Sequence, residues 1–180
     1  MTAGPAPGAQ QVEIAPMRKR HLRGVTEIER QTNHRPWSHS LFAGELKLPT
    51  SRYYVVGLDQ SVVVGFAGIM YTGAEAHITN VGVDPRRRRE HIATRMLLAV
   101  LDDAAERGVA DITLEVRMGN NAAQELYRRF GFAPGGVRPQ YYRDVGEDAL
   151  IMWAHDTHEA PFQRRLGDLR AALALAHGDC

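Results

Sequence analysis

Three strand-like stretches in close succession, then one long amphipathic helix and another strand, constrain this chain more than any other feature. Tyr53 to Leu58 and Val62 to Tyr71 are runs of β-branched and aromatic residues parted only by Asp59, Gln60 and Ser61, which is hairpin spacing, and Ala76 to Val83 supplies a further strand. From about Arg89 to Arg107 the apolar positions Ile92, Met96, Leu97, Val100, Leu101 and Ala104 recur at helical spacing, with Gly108 placed to cap the end. Asp111 to Val116 then reads as strand again. Hairpin-joined strands pair antiparallel, whereas a strand, helix, strand passage needs a parallel crossover, so the sheet must be mixed.

The flanking segments extend the same domain. Val12 and Ile14 alternate as a short strand, Leu22, Val25 and Ile28 form one face of a helix ending near Asn33, and Leu41, Phe42 and Leu46 predict a second helix closed by Pro49. Ala122 to Phe130 predicts a helix stopped by Gly131, and Ala149 to Trp153 a last strand after a turn at Gly135 and Gly136. The class is therefore α/β in the α+β sense, a mixed, mostly antiparallel sheet of about six to seven strands flanked by about four helices. Residues 1–11, rich in Ala, Gly, Pro and Gln, read as a disordered leader, and residues 12–154 as one domain. In the tail, 155–180, Phe162, Leu166, Leu169 and Leu173 predict a C-terminal amphipathic helix packed on the domain or on a partner.

Composition removes several functions. Twenty-two Lys and Arg against 21 Asp and Glu leave a net charge of +1, so no global field draws the chain to nucleic acid or to anionic membrane, and neither partner is expected. Cys180 is the single cysteine, which excludes an intramolecular disulfide and a CxxC pair and suits the reducing cytoplasm. Neither an export signal nor an apolar run long enough to span a bilayer is present in the sequence. His155 and His158 lack further partners at metal-ligand spacing, and no HExxH occurs, so no metal is expected.

Chemistry concentrates first where strand 76–83 runs through Asp84, Pro85 and four arginines, Arg86 to Arg89, into the long helix. Unpaired N–H groups and the positive end of a helix dipole make such a turn an anion site, and a phosphate fits it. Neither GxxxxGK[ST] nor GxGxxG is present, so a P-loop and a dinucleotide fingerprint are excluded. The turn resembles that of the GNAT acetyltransferases, whose pyrophosphate loop follows the pattern Arg/Gln-x-x-Gly-x-Gly/Ala. Arg88, Arg89, Glu90, His91, Ile92 and Ala93 occupy it, with Thr94 next and His91 standing where the family has glycine, a side chain that would crowd the approach to pyrophosphate. Four arginines at a helix start also have a plainer reading as a solvated or RNA-touching basic turn, which the loop by itself makes the lesser of the two.

A second stretch, Leu114-Glu-Val-Arg117, Asn120, Ala123, Leu126-Tyr127 and Gly131-Phe132, is similar to the ribosomal-protein-alanine N-acetyltransferase branch of that family at every fixed position. The similarity reaches from about Val12 to Trp153. It implies the GNAT fold over 12–154, acetyl-CoA as co-substrate, and transfer of acetyl to a protein N-terminal α-amine, the family's acceptor being the N-terminal alanine of a small-subunit ribosomal protein. Alternatives within reach of the fold are lysine or small-molecule amines, or a non-catalytic acetyl-CoA- or ribosome-binding module. The oligomeric state is open.

An amine attacks a thioester only when neutral, and an α-amine has a pKa near ~8 against ~10.4 for lysine, so one carboxylate suits an α-amine better. Strand alternation separates Glu115 from the apolar face of Ile112, Leu114 and Val116, leaving it either the general base or an ion pair with Arg117. The resemblance gives Tyr127 the role of general acid, where residue chemistry alone gives a core-edge aromatic. Asn120 is placed to cap the following helix, to bond pantetheine, or to do both. The backbone of Val81, Gly82 and Val83 would pair with pantetheine as an added strand. Pro36, Trp37, Arg138, Tyr141 and Tyr142 are expected to read the peptide, with only one of the two tyrosines touching it.

Overall fold

The computed structural model describes residues 12–178, so the leader 1–11 and Cys180 lie outside the described residues. Seven strands form one sheet in the order β1-β2-β3-β4-β5-β7-β6. β1 (Glu13–Pro16), β2 (Arg52–Asp59), β3 (Val62–Thr72) and β4 (Glu75–Val83) pair antiparallel in sequence. β4 then pairs parallel with β5 (Asp111–Arg117), and β7 (Glu147–Ala154) joins β5 antiparallel and carries the edge strand β6 (Ala133–Tyr142).

Helices cover the two faces unequally. α1 (Leu22–Thr32) and α2 (His39–Glu45) close one face with Leu22, Val25, Ile28 and Phe42 buried against Tyr54, Val56 and Phe66. Phe42 meets Phe66 and Tyr54 edge-on, the arrangement that aromatic quadrupoles favour. On the other face α3 (Ile92–Glu106) and α4 (Asn121–Arg129) join Ile69, Ile78, Leu114, Phe130 and Met152 in the larger core. Each large apolar side chain fully buried there stabilises the fold by about 1.5–3 kcal/mol of transfer free energy before entropy is counted. α5 (Ala160–Gly178) packs on this core through Phe162 and Leu166, and Thr157 ties its approach to the domain by bonds to Ala110 and Val109. Of the two places open to the tail helix, its apolar face is thus on the domain.

Two boundaries differ from the sequence reading. α3 begins at Ile92 rather than Arg89, because Arg89 and His91 hold left-handed backbone (φ 65 and 58) that no α-helix accommodates. Gly135 and Gly136 are not a turn but lie within β6, and the chain reverses instead over residues 143–146. Pro134, Pro139 and the glycines read as breakers, yet an edge strand tolerates proline and β6 bulges twice against β7. Gly135 is required by packing, since a Cβ there would sit 2.4 Å from Trp153 Cδ1.

Candidate active site

The parallel pairing of β4 and β5 ends at Ile78 and Leu114, although β4 continues to Val83 and β5 to Arg117. The two strands splay apart, and a cleft of about 760 Å³ opens between them, lined by Thr79 to Val83 on one side and Leu114 to Arg117 on the other. Thr79 is an extra residue in β4, since Gly68 pairs with Asn80 and Ile69 with Ile78. That bulge begins where the divergence begins, as bulges do beside functional clefts.

One wall is backbone. Past Ile78 the edge of β4 that faces β5 has no partner strand, so Val81 and Val83 offer free peptide groups to an extended ligand, while Gly82 between them pairs with Phe66 of β3. Phe66 and Ile28 crowd Gly82, where a Cβ would lie 2.5 Å from the Phe66 ring. At the end of this wall stands the N-terminus of α3, with no side-chain cap from His91. The N–H groups of Ile92, Ala93 and Thr94 precede the first intrahelical bond, from Arg95 to the His91 carbonyl, and are left for an anion. Ile92 and Thr94 turn their side chains into the core, so only their backbone can serve, whereas Ala93 lines the cleft.

The arginine run divides by partner. Arg86 pairs with Asp84, and Arg87 with both Asp59 (2.6 Å) and Glu90 (2.7 Å), which also occupies Glu90. Arg88 and Arg89 are exposed and form no ion pair among the described residues, and Arg88 lines the cleft. His91 is exposed and does not line it. Two phosphate-seeking guanidiniums, a helix N-terminus and an open strand edge together fit a long ligand with a phosphorylated end, as CoA is.

The other wall is made of side chains. Glu115 points away from the apolar face of β5, as alternation requires, and its carboxylate bonds His77 Nε2 at 2.9 Å and lies 3.4 Å from Arg138. The His77 hydrogen bond, and behind it the Arg138 charge, hold the Glu115 carboxyl below the usual carboxylate range despite partial burial. Neither partner is the Arg117 considered from sequence. Tyr127 of α4 is buried and lines the cleft, its ring edge-on to Phe132. Burial pushes its phenol up, so it keeps its proton at all physiological pH. Asn120 accepts from the Ala123 N–H at 3.2 Å and thus caps α4 while lining the cleft.

The expected peptide-reading residues separate. Tyr142 lines the cleft with its phenol pushed up to about 12 by burial, whereas Tyr141 stands exposed against it. Arg138 sits on β6 above Glu115. Trp37 packs on Phe42 and Pro36 is exposed; neither lines the cleft, where Asn33, His34 and Arg35 of the same connection do. The structure adds residues that the sequence did not single out. His77 became visible only through the register that puts it opposite Thr113. Glu29, buried in α1, accepts from Asn33 Nδ2 and the Trp37 N–H and so anchors the α1–α2 connection, and desolvation raises its carboxyl pKa. Gln124 donates to the carbonyls of Arg117 and Met118 and fixes the turn from β5 into α4.

Residues 22–132 match the profile of the acetyltransferase (GNAT) family. The chain belongs to the GNAT acetyltransferases. It is 36% identical to the N-alpha-acetyltransferase RimI of Mycobacterium tuberculosis over 158 residues, covering 84% of this chain and 95% of the relative. It is 34% identical to the ribosomal protein bS18-alanine N-acetyltransferase of Escherichia coli K12, covering 77% and 94%. A crystal structure of the Escherichia coli ribosomal-protein-S18-alanine N-acetyltransferase superposes with a TM-score of 0.74 at 30% identity, covering 81% of this chain and 94% of that one. A GNAT enzyme takes its acetyl group from acetyl-CoA, and the backbone wall is where this chain would hold it. Among the described residues no cluster of three or more His, Cys, Asp or Glu could bind a metal, and no helix is long and apolar enough to cross a membrane.

Proposed function

We propose that this GNAT enzyme acetylates the N-terminal α-amine of a protein, with the N-terminal alanine of a small-subunit ribosomal protein as acceptor. The observation that carries this reading is the placement of Glu115 and Tyr127 in one cleft, a carboxyl held below its usual range by His77 and Arg138 and a phenol whose burial favours the protonated form. Relatives that carry the bS18-alanine acetyltransferase name over nearly their whole length supply the choice of acceptor.

Acetyl-CoA supplies an activated thioester, and the chain's residues manage the protons. An α-ammonium with a pKa near ~8 is partly neutral at physiological pH, so the base need only keep the proton moving away from nitrogen. Glu115 is ionised there and accepts a hydrogen bond from His77 Nε2, which holds the carboxylate in place to take the proton from the attacking amine. Tyr127 holds its proton at Oη, available to the sulfur that leaves. Amine and thioester meet in one ternary complex, since a covalent relay through cysteine would need Cys180, which is far in sequence from every cleft residue. A cytoplasmic setting fits a ribosomal acceptor and a chain with one cysteine.

The deciding experiment measures CoA release with short peptides differing at residue one, with mass spectrometry locating the acetyl group. The reading requires acetyl on the α-amine of alanine-starting peptides. Acetyl on lysine side chains, or acetyl-CoA binding with no turnover, overturns it.

A further inference from the structure

One polar group in the cleft has no part in the mechanism above. The Oδ1 atom of Asn80 is shut off from solvent and has no hydrogen-bond partner, although Asn80 lines the cleft. Buried acceptors are paired as a rule, and an orphan at the wall of a binding cleft points to a missing ligand.

The β4 bulge decides which side of the sheet this carboxamide serves. Ile78 faces the core beneath α3, and in an unbroken strand Asn80 would follow it. Thr79 is extra, so the phase reverses: Gly82, two residues beyond Asn80, faces Phe66 and Ile28 beneath α1. Asn80 therefore stands on the α1 face, with Thr79, whose hydroxyl meets Tyr54, and with His77 and Glu115. The N-terminus of α3 and its phosphate-seeking arginines lie on the opposite face. The side of the sheet that carries the base is the side the acceptor must enter.

We propose that Asn80 reads the first peptide unit of the acceptor, its carboxamide oxygen accepting the N–H that joins residues one and two. This rests on the N-terminal acetyltransferase reading. A carboxamide presents one donor and one acceptor, the complement of a peptide unit, and its oxygen, turned away from solvent, reaches the cleft by a half-turn about the last torsion. The peptide N–H is separated from the reacting α-nitrogen by two carbons only, so a group fixed beside the base reaches both. A lysine side chain puts four methylenes next to its nitrogen and has no N–H there. Asn80 is thereby a specificity-determining residue for α- over ε-amines, because a site built to pair a donor rejects the substrate that lacks it.

The test compares wild type, Asn80→Ala and the space-filling Asn80→Leu on an alanine-starting peptide and on its backbone ester, in which oxygen replaces the first peptide N–H. Wild type loses about five- to tenfold in kcat/KM on the ester, the usual size of one neutral hydrogen bond. Both variants lose a similar factor on the amide peptide and discriminate between amide and ester by less than about twofold, with acetyl-CoA KM and thermal stability unchanged, since they remove a group with no protein partner. Retention of the wild-type amide-to-ester ratio in both variants, or a change confined to acetyl-CoA KM, overturns the proposal and leaves the acetyltransferase reading standing. Absence of α-amine acetylation by wild type overturns the reading, and this proposal with it.

Discussion

The two walls of the cleft are built on opposite plans. The wall proposed for the donor is nearly continuous in sequence, from Val81 through the arginine turn to Thr94, and what it offers is mostly backbone. The wall proposed for the acceptor draws Glu29 from α1, Asn80 from β4, Glu115 from β5 with His77 behind it, and Tyr142 from the end of β6, and what it offers is side chains. An invariant donor can be held by peptide groups that any sequence of the right shape supplies. An acceptor that must be distinguished from other amines needs particular side chains in particular places.

The largest expected effect separates the walls directly. Glu115→Gln should lower kcat by about 10²–10³-fold, the usual contribution of a positioned general base, and leave acetyl-CoA affinity unchanged by calorimetry. The pH profile carries the same information. His77 and then Arg138 hold the Glu115 carboxyl below its ordinary range, so it protonates only below that range and the acid limb of kcat/KM should lie there. Arg138→Ala removes one of the two supports and should move that limb upward. A limb that stays in place would detach Glu115 from the proton transfer.

Tyr127→Phe comes next, with kcat reduced about 10²-fold and both substrate KM values little altered, because the phenol acts at the moment sulfur leaves. Its buried ring and its contact with Phe132 are retained in phenylalanine, which makes loss of fold a poor explanation for any loss of rate. Arg88→Ala combined with Arg89→Ala is milder. It should raise acetyl-CoA KM about tenfold, more at low salt, and leave peptide KM alone, as expected for two exposed guanidiniums that meet phosphate. Equal damage to both substrates would mean that the walls are not separable.

The same contrast explains what could be read from the chain. Helices α1, α3 and α4 and the pairing of β2 to β5 were legible because their apolar residues keep one period and their ends carry local stops, such as Gly131 at φ 94 after α4. The donor wall was legible as a motif, since contiguous backbone leaves a contiguous trace. The edge strand β6 was not, because prolines and glycines mark turns everywhere except at an edge that bulges. Asn80 was illegible for a related reason: its side of the sheet depends on a one-residue bulge at Thr79 that reverses the strand's phase, and nothing at Thr79 announces it, while His77 needed the β4–β5 register that sets it opposite Thr113. Glu29 reads as one polar residue on a helix until the α1–α2 connection folds back onto it.

The smallest effect belongs to the residue that stood out most in the sequence. His91 occupies the place of a family glycine and adopts the left-handed conformation that glycine would adopt freely, at φ 58. Its ring is exposed and stays out of the cleft, so the backbone approach to pyrophosphate is kept although the side chain differs. His91→Gly relieves about 1–2 kcal/mol of left-handed strain. It also gives back about 0.5–1 kcal/mol through the extra freedom of glycine in the unfolded chain. A net stabilisation of about 1 kcal/mol or less should register as a rise of a few degrees in Tm, with acetyl-CoA KM changed by less than about twofold. A tenfold gain in affinity would instead show that the imidazole obstructs the phosphates, and would make the donor wall as dependent on one side chain as the acceptor wall is.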